Sequence, residues 1–368
     1  MAHTSFSRRN FLTALASTAA TVTLPNKASA FVPGGSTREN DLKKRNPNAG
    51  PIKILCTQNF SSQELQTIRS AGKNIHLIMI KNENEMKLHV KDAEVILGSI
   101  DGSLVPAAKE LKWVQTMAAG VENMSRELKE HPCRLTNMQR VYAPVIAETA
   151  IALLLSLTRG LAQVSIPARA QRKWTQAPSD TPLVDLYGKT IGIVGMGGIG
   201  SETARRLHYG FNMQVFGTDA KPLPKPEFVA ELHDPSWFME MVPQVDVLMS
   251  AAPLTEETKG MFNEAVFSKM KPGAYFINVS RGGLVDQDAL VKALKEKRIQ
   301  GAGLDVTTPE PLPADDPIWN CPNVVITPHN SGQAPVRQER AIALIAANVR
   351  RYSNNLPLMN IVDKIKGY

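Results

Sequence analysis

A strand-like run, Lys189–Gly195, ends in the stretch "GMGGIG", which sets Gly195, Gly197 and Gly200 at G-x-G-x-x-G spacing ahead of a helix-forming segment. Each glycine has its own task in such a turn. Gly195 permits the tight bend, Gly197 lets backbone approach a pyrophosphate, and Gly200 allows the helix to pack closely on the strand. The helix N-terminus then offers unpaired N–H groups and a partial positive charge to phosphate oxygens. Asp219 ends the next strand-like run, 19 residues after Gly200. A carboxylate there accepts hydrogen bonds from ribose hydroxyls and repels a 2′-phosphate, which favours NAD over NADP. Lys221, two residues on, is a cation that could accommodate that phosphate, and it keeps NADP open as the less favoured cofactor.

Three further residues stand just beyond strand-like runs in the same half of the chain. Arg281 follows "YFINVS", Glu310 lies between two prolines in "TTPEPLP", and His329 follows "VVITP". Of the seven histidines, His329 alone sits in a strand-end loop of this region, whereas His208 and His233 lie in polar surroundings. Reduction of a 2-oxo acid needs a cation for the carboxylate, a proton donor for the carbonyl oxygen, and a hydride. A guanidinium forks onto a carboxylate, histidine is the natural proton donor near neutral pH, and a neighbouring carboxylate fixes its tautomer and favours its charged form. No set of residues has metal-ligand spacing, so no metal is expected.

The elements that must hold these groups alternate between strand and helix. "IKILCT" (52–57), "IHLIMI" (75–80), "EVILGS" (94–99) and "WVQTMA" (113–118) read as strands of one α/β unit. A second series follows at 189–195, 213–219, 245–251, 274–280, 301–306 and 323–328. Between the two series lies a long apolar run, Val145–Val164, broken by Glu148 and Arg159 and read as one buried helix. The fold class is α/β, with two parallel-sheet domains of Rossmann or flavodoxin type.

Residues 4–15, "TSFSRRNFLTAL", open a leader with paired arginines (Arg8, Arg9), an apolar run to Leu24 and a small-residue "ASA" at 28–30. That is the pattern of a twin-arginine export signal over residues 1–30, which would engage the machinery that moves folded proteins and place the product in the periplasm. If the leader is not used, the protein stays cytoplasmic. The apolar run is too short to span a bilayer, so no stable membrane anchor is expected. Residues 31–50 are rich in Gly, Pro and Asn and read as a flexible tether. Residues 1–30 carry three bases and no acid, and residues 31–50 four bases against two acids, so most of the net charge of +8 lies ahead of Pro51. The charge balance therefore gives no case for nucleic-acid binding. Cys56, Cys133 and Cys321 are odd in number and far apart, which fits buried free thiols rather than a disulfide framework.

"DLYGKTIGIVGMGGIG", "PLTEETKGMFN", "MKPGAYFINVSRGGLVDQDAL", "GAGLDVTTPEPLP" and "NVVITPHNSG", in that order, resemble the D-isomer-specific 2-hydroxyacid dehydrogenase family. The resemblance runs from about Pro51 to the C-terminus and is densest from Asp185 to Gly332. It implies that Arg281, Glu310 and His329 are catalytic. It adds cofactor contacts at Gly198 and Ile199 (pyrophosphate), Ala252, Pro253 and Thr258, at Val279 and Ser280 near the nicotinamide, with Arg281 beside them, and at Asp305 on the carboxamide. "TMAAGVENM" is similar to the family's carboxylate-cradling loop, which nominates Ala119, Gly120 and Val121 alongside Arg281 for substrate. The implied layout is a substrate domain over 51–150, an NAD-binding Rossmann domain over 151–334 inserted in it, and a C-terminal helix within 335–368 returning to the first domain. A homodimer is implied as well.

The expected activity is NAD-dependent interconversion of a small 2-oxo acid and its D-2-hydroxy acid, with glyoxylate or hydroxypyruvate as the first substrates to try. Glutamate at 310, where formate dehydrogenases of the superfamily carry glutamine, argues against formate, and no regulatory domain is expected after residue 368. The loop "NSGQAP" after His329 departs from the family's usual apolar and small residues. The alternatives are a non-catalytic NAD sensor or an exported protein that holds NAD structurally.

Overall fold

The structure, a computed structural model, describes residues 50–368 apart from 175, 179, 180 and 182. The leader, and the tether as far as residue 49, lie outside the described residues.

Two parallel sheets organise the chain. The first comprises β1 (Ile52–Cys56), β2 (Ile75–Met79), β3 (Val95–Leu97), β4 (Trp113–Gln115) and β5 (Arg134–Thr136), in the order β2-β1-β3-β4-β5. The second comprises β6 (Thr190–Val194), β7 (Gln214–Thr218), β8 (Glu231–His233), β9 (Val247–Ser250), β10 (Tyr275–Asn278), β11 (Gly301–Leu304) and β12 (Val324–Ile326), in the order β12-β11-β10-β9-β6-β7-β8. Their central strands read as unbroken apolar runs because helices cover both faces, and every residue of β6, β9 and β10 is buried. Each order reverses once, between β1 and β3 and between β6 and β9. Such switch points open a crevice at the carboxyl ends of the strands.

The strands expected from sequence are all present, trimmed at their ends, and two three-residue strands join them. β5 and β8 are outermost in their sheets and too short to show an apolar period. The apolar run Val145–Val164 is not one helix. The linker helix spans Ala143–Thr158, Gly160 turns with φ +65°, and a π-helical turn (Leu161–Ser165) leads into the short helix Ile166–Ala170. A glycine takes that left-handed conformation without the steric cost other residues meet, so the helix stops there. Among the described residues no single helix is long and apolar enough to cross a membrane.

The linker helix seats the two lobes. Ile146, Ala150, Leu153, Leu154 and Leu157 are buried in a core that also takes Ile54 and Val95 from the first sheet and Ile191 and Ile277 from the second. Gly303 in β11 is required for this approach, since a Cβ there would lie 2.8 Å from Leu153 Cβ.

The last helix, Val336–Ser353, returns to the first lobe and packs on the helix Ser62–Ser70. Ile342, Ile345, Val349 and Tyr352 are buried, each contributing about 1.5–3 kcal/mol. Tyr352 meets Trp113 of β4 with ring centroids 5.6 Å apart. Asn348 is fully buried and donates to Gln115 Oε1 (3.1 Å) and the Met359 carbonyl (3.1 Å), while its own oxygen accepts from Met359 N–H (2.8 Å). Asn348→Ala strands these partners without water. It should lower unfolding stability by about 2–4 kcal/mol, read as a shift of the urea midpoint at constant slope; an unchanged midpoint would show that the polar tie contributes nothing.

Candidate active site

The glycine turn lies where the sequence placed it, between β6 and the helix Gly198–Phe211, beside the second sheet's switch point. Gly195 has φ +94°, and a Cβ on it would come within 2.7 Å of the Ala251–Ala252 peptide. A Cβ on Gly200 would collide with the Gly195 carbonyl oxygen. Gly197 caps the helix with no side chain, which leaves its first N–H groups, including those of Gly198 and Ile199, facing the crevice. These features fit a dinucleotide pyrophosphate.

Asp219 stands beside this turn. Its Oδ2 accepts from Met196 N–H and its Oδ1 from Lys221 N–H, both at 2.8 Å. Burial pushes its carboxyl up, while those two N–H groups and then the Lys221 charge oppose the rise. Burial likewise pushes the Lys221 ammonium down, against the pull of Asp219 and Asp363. Lys221 also lies over the Tyr368 ring, 4.7 Å from its centroid. Arg140 faces the turn from the first lobe, and its Cα would lie 3.2 Å from a Cβ on Gly198. Sequence reasoning missed both Tyr368 and Arg140. The only signal was an arginine directly ahead of the linker helix.

The remaining cofactor candidates shape the crevice wall. Ala252 and Val279 are buried just beyond the ends of β9 and β10. Ser280 is buried and shares its hydroxyl with Ser250 (2.7 Å) and Asn278 Oδ1 (2.9 Å). Thr258 donates to the Pro253 carbonyl (2.7 Å) and so closes the loop that carries both. Asp305 is 1% exposed, and its carboxylate accepts from Thr327 Oγ1 (2.6 Å), Asn330 N–H (3.1 Å) and Ser331 N–H (3.2 Å). The structure thus gives Asp305 a role inside the protein, as the pin of the loop that carries His329. Ser331 and Asn330 of the unusual "NSG" stretch are what it pins.

His329 has φ +50°, a conformation uncommon outside glycine, and its N–H donates to the Asp305 carbonyl (2.8 Å). Held this way, its Nδ1 lies 2.7 Å from Glu310 Oε2. Glu310 is fixed in turn by its other oxygen, which accepts from Thr307 N–H at 3.0 Å. Nδ1–H donating to the carboxylate leaves Nε2 for a reacting group, and both side chains are open to the cleft. Gly282, next to Arg281, packs so tightly on residue 307 that a Cβ would overlap the Thr307 carbonyl. That contact sets the Arg281 loop directly against the Glu310 loop.

Arg281 reaches across the cleft. Its Nη1 donates to its neighbour's carbonyl at Ser280 (2.7 Å), and its Nε donates to Glu122 Oε1 (2.5 Å). Glu122 lies in the nominated loop, directly after Ala119, Gly120 and Val121. None of those three residues' N–H groups donates to another described residue. The structure therefore joins Arg281, His329, Glu310 and the 119–121 loop at one cleft, and adds Glu122, which sequence reasoning did not single out. Among the described residues no cluster of His, Cys, Asp or Glu could hold a metal ion.

A nucleotide-fitting glycine turn, a carboxylate beside it, and an Arg, His and Glu at the facing strand ends define a dinucleotide-dependent oxidoreductase of two α/β lobes. Residues 151–331 match the family described as D-isomer specific 2-hydroxyacid dehydrogenase, NAD binding domain. A glyoxylate reductase of Korarchaeum cryptofilum is 35% identical over 288 residues, which is 75% of this chain and 84% of that protein. A glyoxylate/hydroxypyruvate reductase B of Escherichia fergusonii is 36% identical over 244 residues, 65% of this chain and 74% of that one. In fold, the chain is similar to an NADPH-dependent glyoxylate/hydroxypyruvate reductase of Sinorhizobium meliloti solved with NADP and sulfate. Its TM-score is 0.72 at 24% identity, over 86% of this chain and 99% of that one. The chain belongs to the D-isomer-specific 2-hydroxyacid dehydrogenase family, and it is an oxidoreductase that interconverts 2-oxo and 2-hydroxy acids.

Proposed function

We propose that this enzyme reduces glyoxylate or hydroxypyruvate to the 2-hydroxy acid with NADH as the preferred cofactor, and that Arg281, His329 and Glu310 carry the chemistry. The observation that carries this reading is the 2.7 Å Glu310–His329 pair held opposite Arg281 at the end of the dinucleotide crevice. Gly195, Gly197, Gly198, Ile199 and Gly200 would hold the pyrophosphate and Asp219 the adenosine ribose. A bound reduced nicotinamide supplies a hydride for the carbonyl carbon. Arg281 and the N–H groups of Ala119, Gly120 and Val121 bind the substrate carboxylate, and Arg281 also draws electron density toward the carbonyl oxygen. His329 gives that oxygen a proton from Nε2, while Glu310 keeps Nδ1 protonated and the ring in place. The product is the neutral alcohol of the same acid. The preference for NAD rests on Asp219, whose carboxylate beside the ribose site opposes a 2′-phosphate. Its support in relatives is for a nicotinamide dinucleotide in general.

Protein lacking residues 1–30 should oxidise NADH faster than NADPH with glyoxylate or hydroxypyruvate. His329→Ala should lower kcat by about 10²- to 10⁴-fold while NADH still binds, as followed by its fluorescence. A His329→Ala variant with undiminished kcat would remove His329 from the reaction.

We further propose that Arg8 and Arg9 send the protein, folded and loaded with cofactor, to the periplasm. With both arginines changed to lysine the protein should remain in the cytoplasmic fraction; unaltered fractionation would reject the export reading. A homodimer is proposed too, supported by the apolar side chains of Leu161, Ile166, Trp174, Leu183 and Tyr187, which are exposed in the segment between the linker helix and β6. Light scattering should return twice the monomer mass, and a monomer at micromolar concentration would reject it.

A further inference from the structure

Glu122 occupies an unexpected place. Its Oε1 accepts from Arg281 Nε at 2.5 Å, and its Oε2 folds back onto Gly120, where a Cβ would collide with both Oε2 and Arg281 Nη2. The carboxylate therefore lies beside Gly120, where Arg281 meets the 119–121 loop. Burial alone would push its carboxyl up. Hydrogen bonding from Arg281 and the charges of Arg281 and His329 more than offset this and hold it below the usual carboxylate range, so at neutral pH it is an anion. The pair joins the two lobes, and both side chains remain partly open to the cleft, 28–29% exposed.

The geometry of the guanidinium makes this consequential. Nη1 is engaged by the Ser280 carbonyl and Nε by Glu122, so the Nε–Nη2 edge, which takes a carboxylate side-on, already has one of its two donors occupied. A substrate carboxylate seeking that edge must move Glu122 aside. Glu122 is anchored on the same loop as the anion cradle, so once moved it stays within a few ångströms of the substrate. A fixed negative charge at that range, in a cleft drier than bulk water, repels a second anionic group strongly and leaves a neutral one alone.

We propose that Glu122 is a specificity-determining residue: it competes with the substrate for Arg281 and limits the site to 2-oxo acids bearing one carboxylate, excluding those bearing two. This rests on the placement of substrate at Arg281 and the 119–121 loop proposed above. Glu122 neither donates the proton nor receives the hydride. Its effect is on which anions reach Arg281 and how tightly.

The test uses two unreactive acids of nearly equal size, oxamate with one carboxylate and oxalate with two, bound to the NADH complex and followed by calorimetry. Wild type should bind oxamate at least tenfold more tightly than oxalate. Glu122→Gln, which keeps the acceptor on Arg281 Nε and removes the charge, should reduce that preference at least tenfold. In turnover the same variant should lower KM for glyoxylate several-fold with kcat changed by less than about threefold. It should also raise kcat/KM for oxaloacetate relative to 2-oxobutanoate at least tenfold. Equal preference in wild type and Glu122→Gln overturns the inference, as does a fall in kcat with KM unchanged. Should Glu122→Gln lose NADH binding, Glu122→Asp decides: it retains the charge and must retain the oxamate preference. The two readings separate cleanly. Absence of glyoxylate and hydroxypyruvate turnover in wild type defeats the reaction proposed above, while the calorimetric comparison still decides Glu122.

Discussion

One buried carboxylate holds the reacting end of the molecule together. Asp305 sits at the end of β11, shut off from solvent, and gathers hydrogen bonds from the hydroxyl of Thr327 and the backbone N–H groups of Asn330 and Ser331. An ion removed from water is tolerated only when its lone pairs are met, so the backbone after β12 must curl around it. That curl puts His329 into a positive-φ conformation and delivers its ring to Glu310. The histidine's position is thus inherited from a neighbouring buried carboxylate. Strain of this kind persists only when the surroundings over-determine it, and here three donors do so.

The Arg281 loop is fixed by steric means. Gly282 lets the Arg281 turn lie directly on the Thr307 carbonyl, and Thr307 N–H in turn holds Glu310. Arginine, glutamate and histidine therefore sit on three loops that brace one another. Their placement follows from close backbone approach and a shared buried anion more than from the side chains themselves.

Much of this was legible in the residues. The glycine spacing, the strand alternation and the polar groups after apolar runs were enough to locate the crevice and three side chains that the fold brings to it, because each is a local pattern. What stayed hidden was non-local or too short to have a period. Glu122 meets Arg281 across 159 positions of sequence, and Arg140 and Tyr368 approach the nucleotide side from other parts of the chain. β5 and β8 have three residues each, and Gly160 broke a run whose composition alone read as continuous helix. The family resemblance nominated Asp305 as a carboxamide contact, whereas its hydrogen bonds within the protein depend on three donors that only the fold assembles.

The return of the last helix has a consequence for how the chain comes into being. Trp113 and Gln115, on β4 of the first sheet, also meet Tyr352 and Asn348, more than two hundred residues downstream. As the chain leaves the ribosome, the first lobe waits with an open flank until the whole second lobe has been made. The packing of the first lobe is therefore complete only once the last helix has been made.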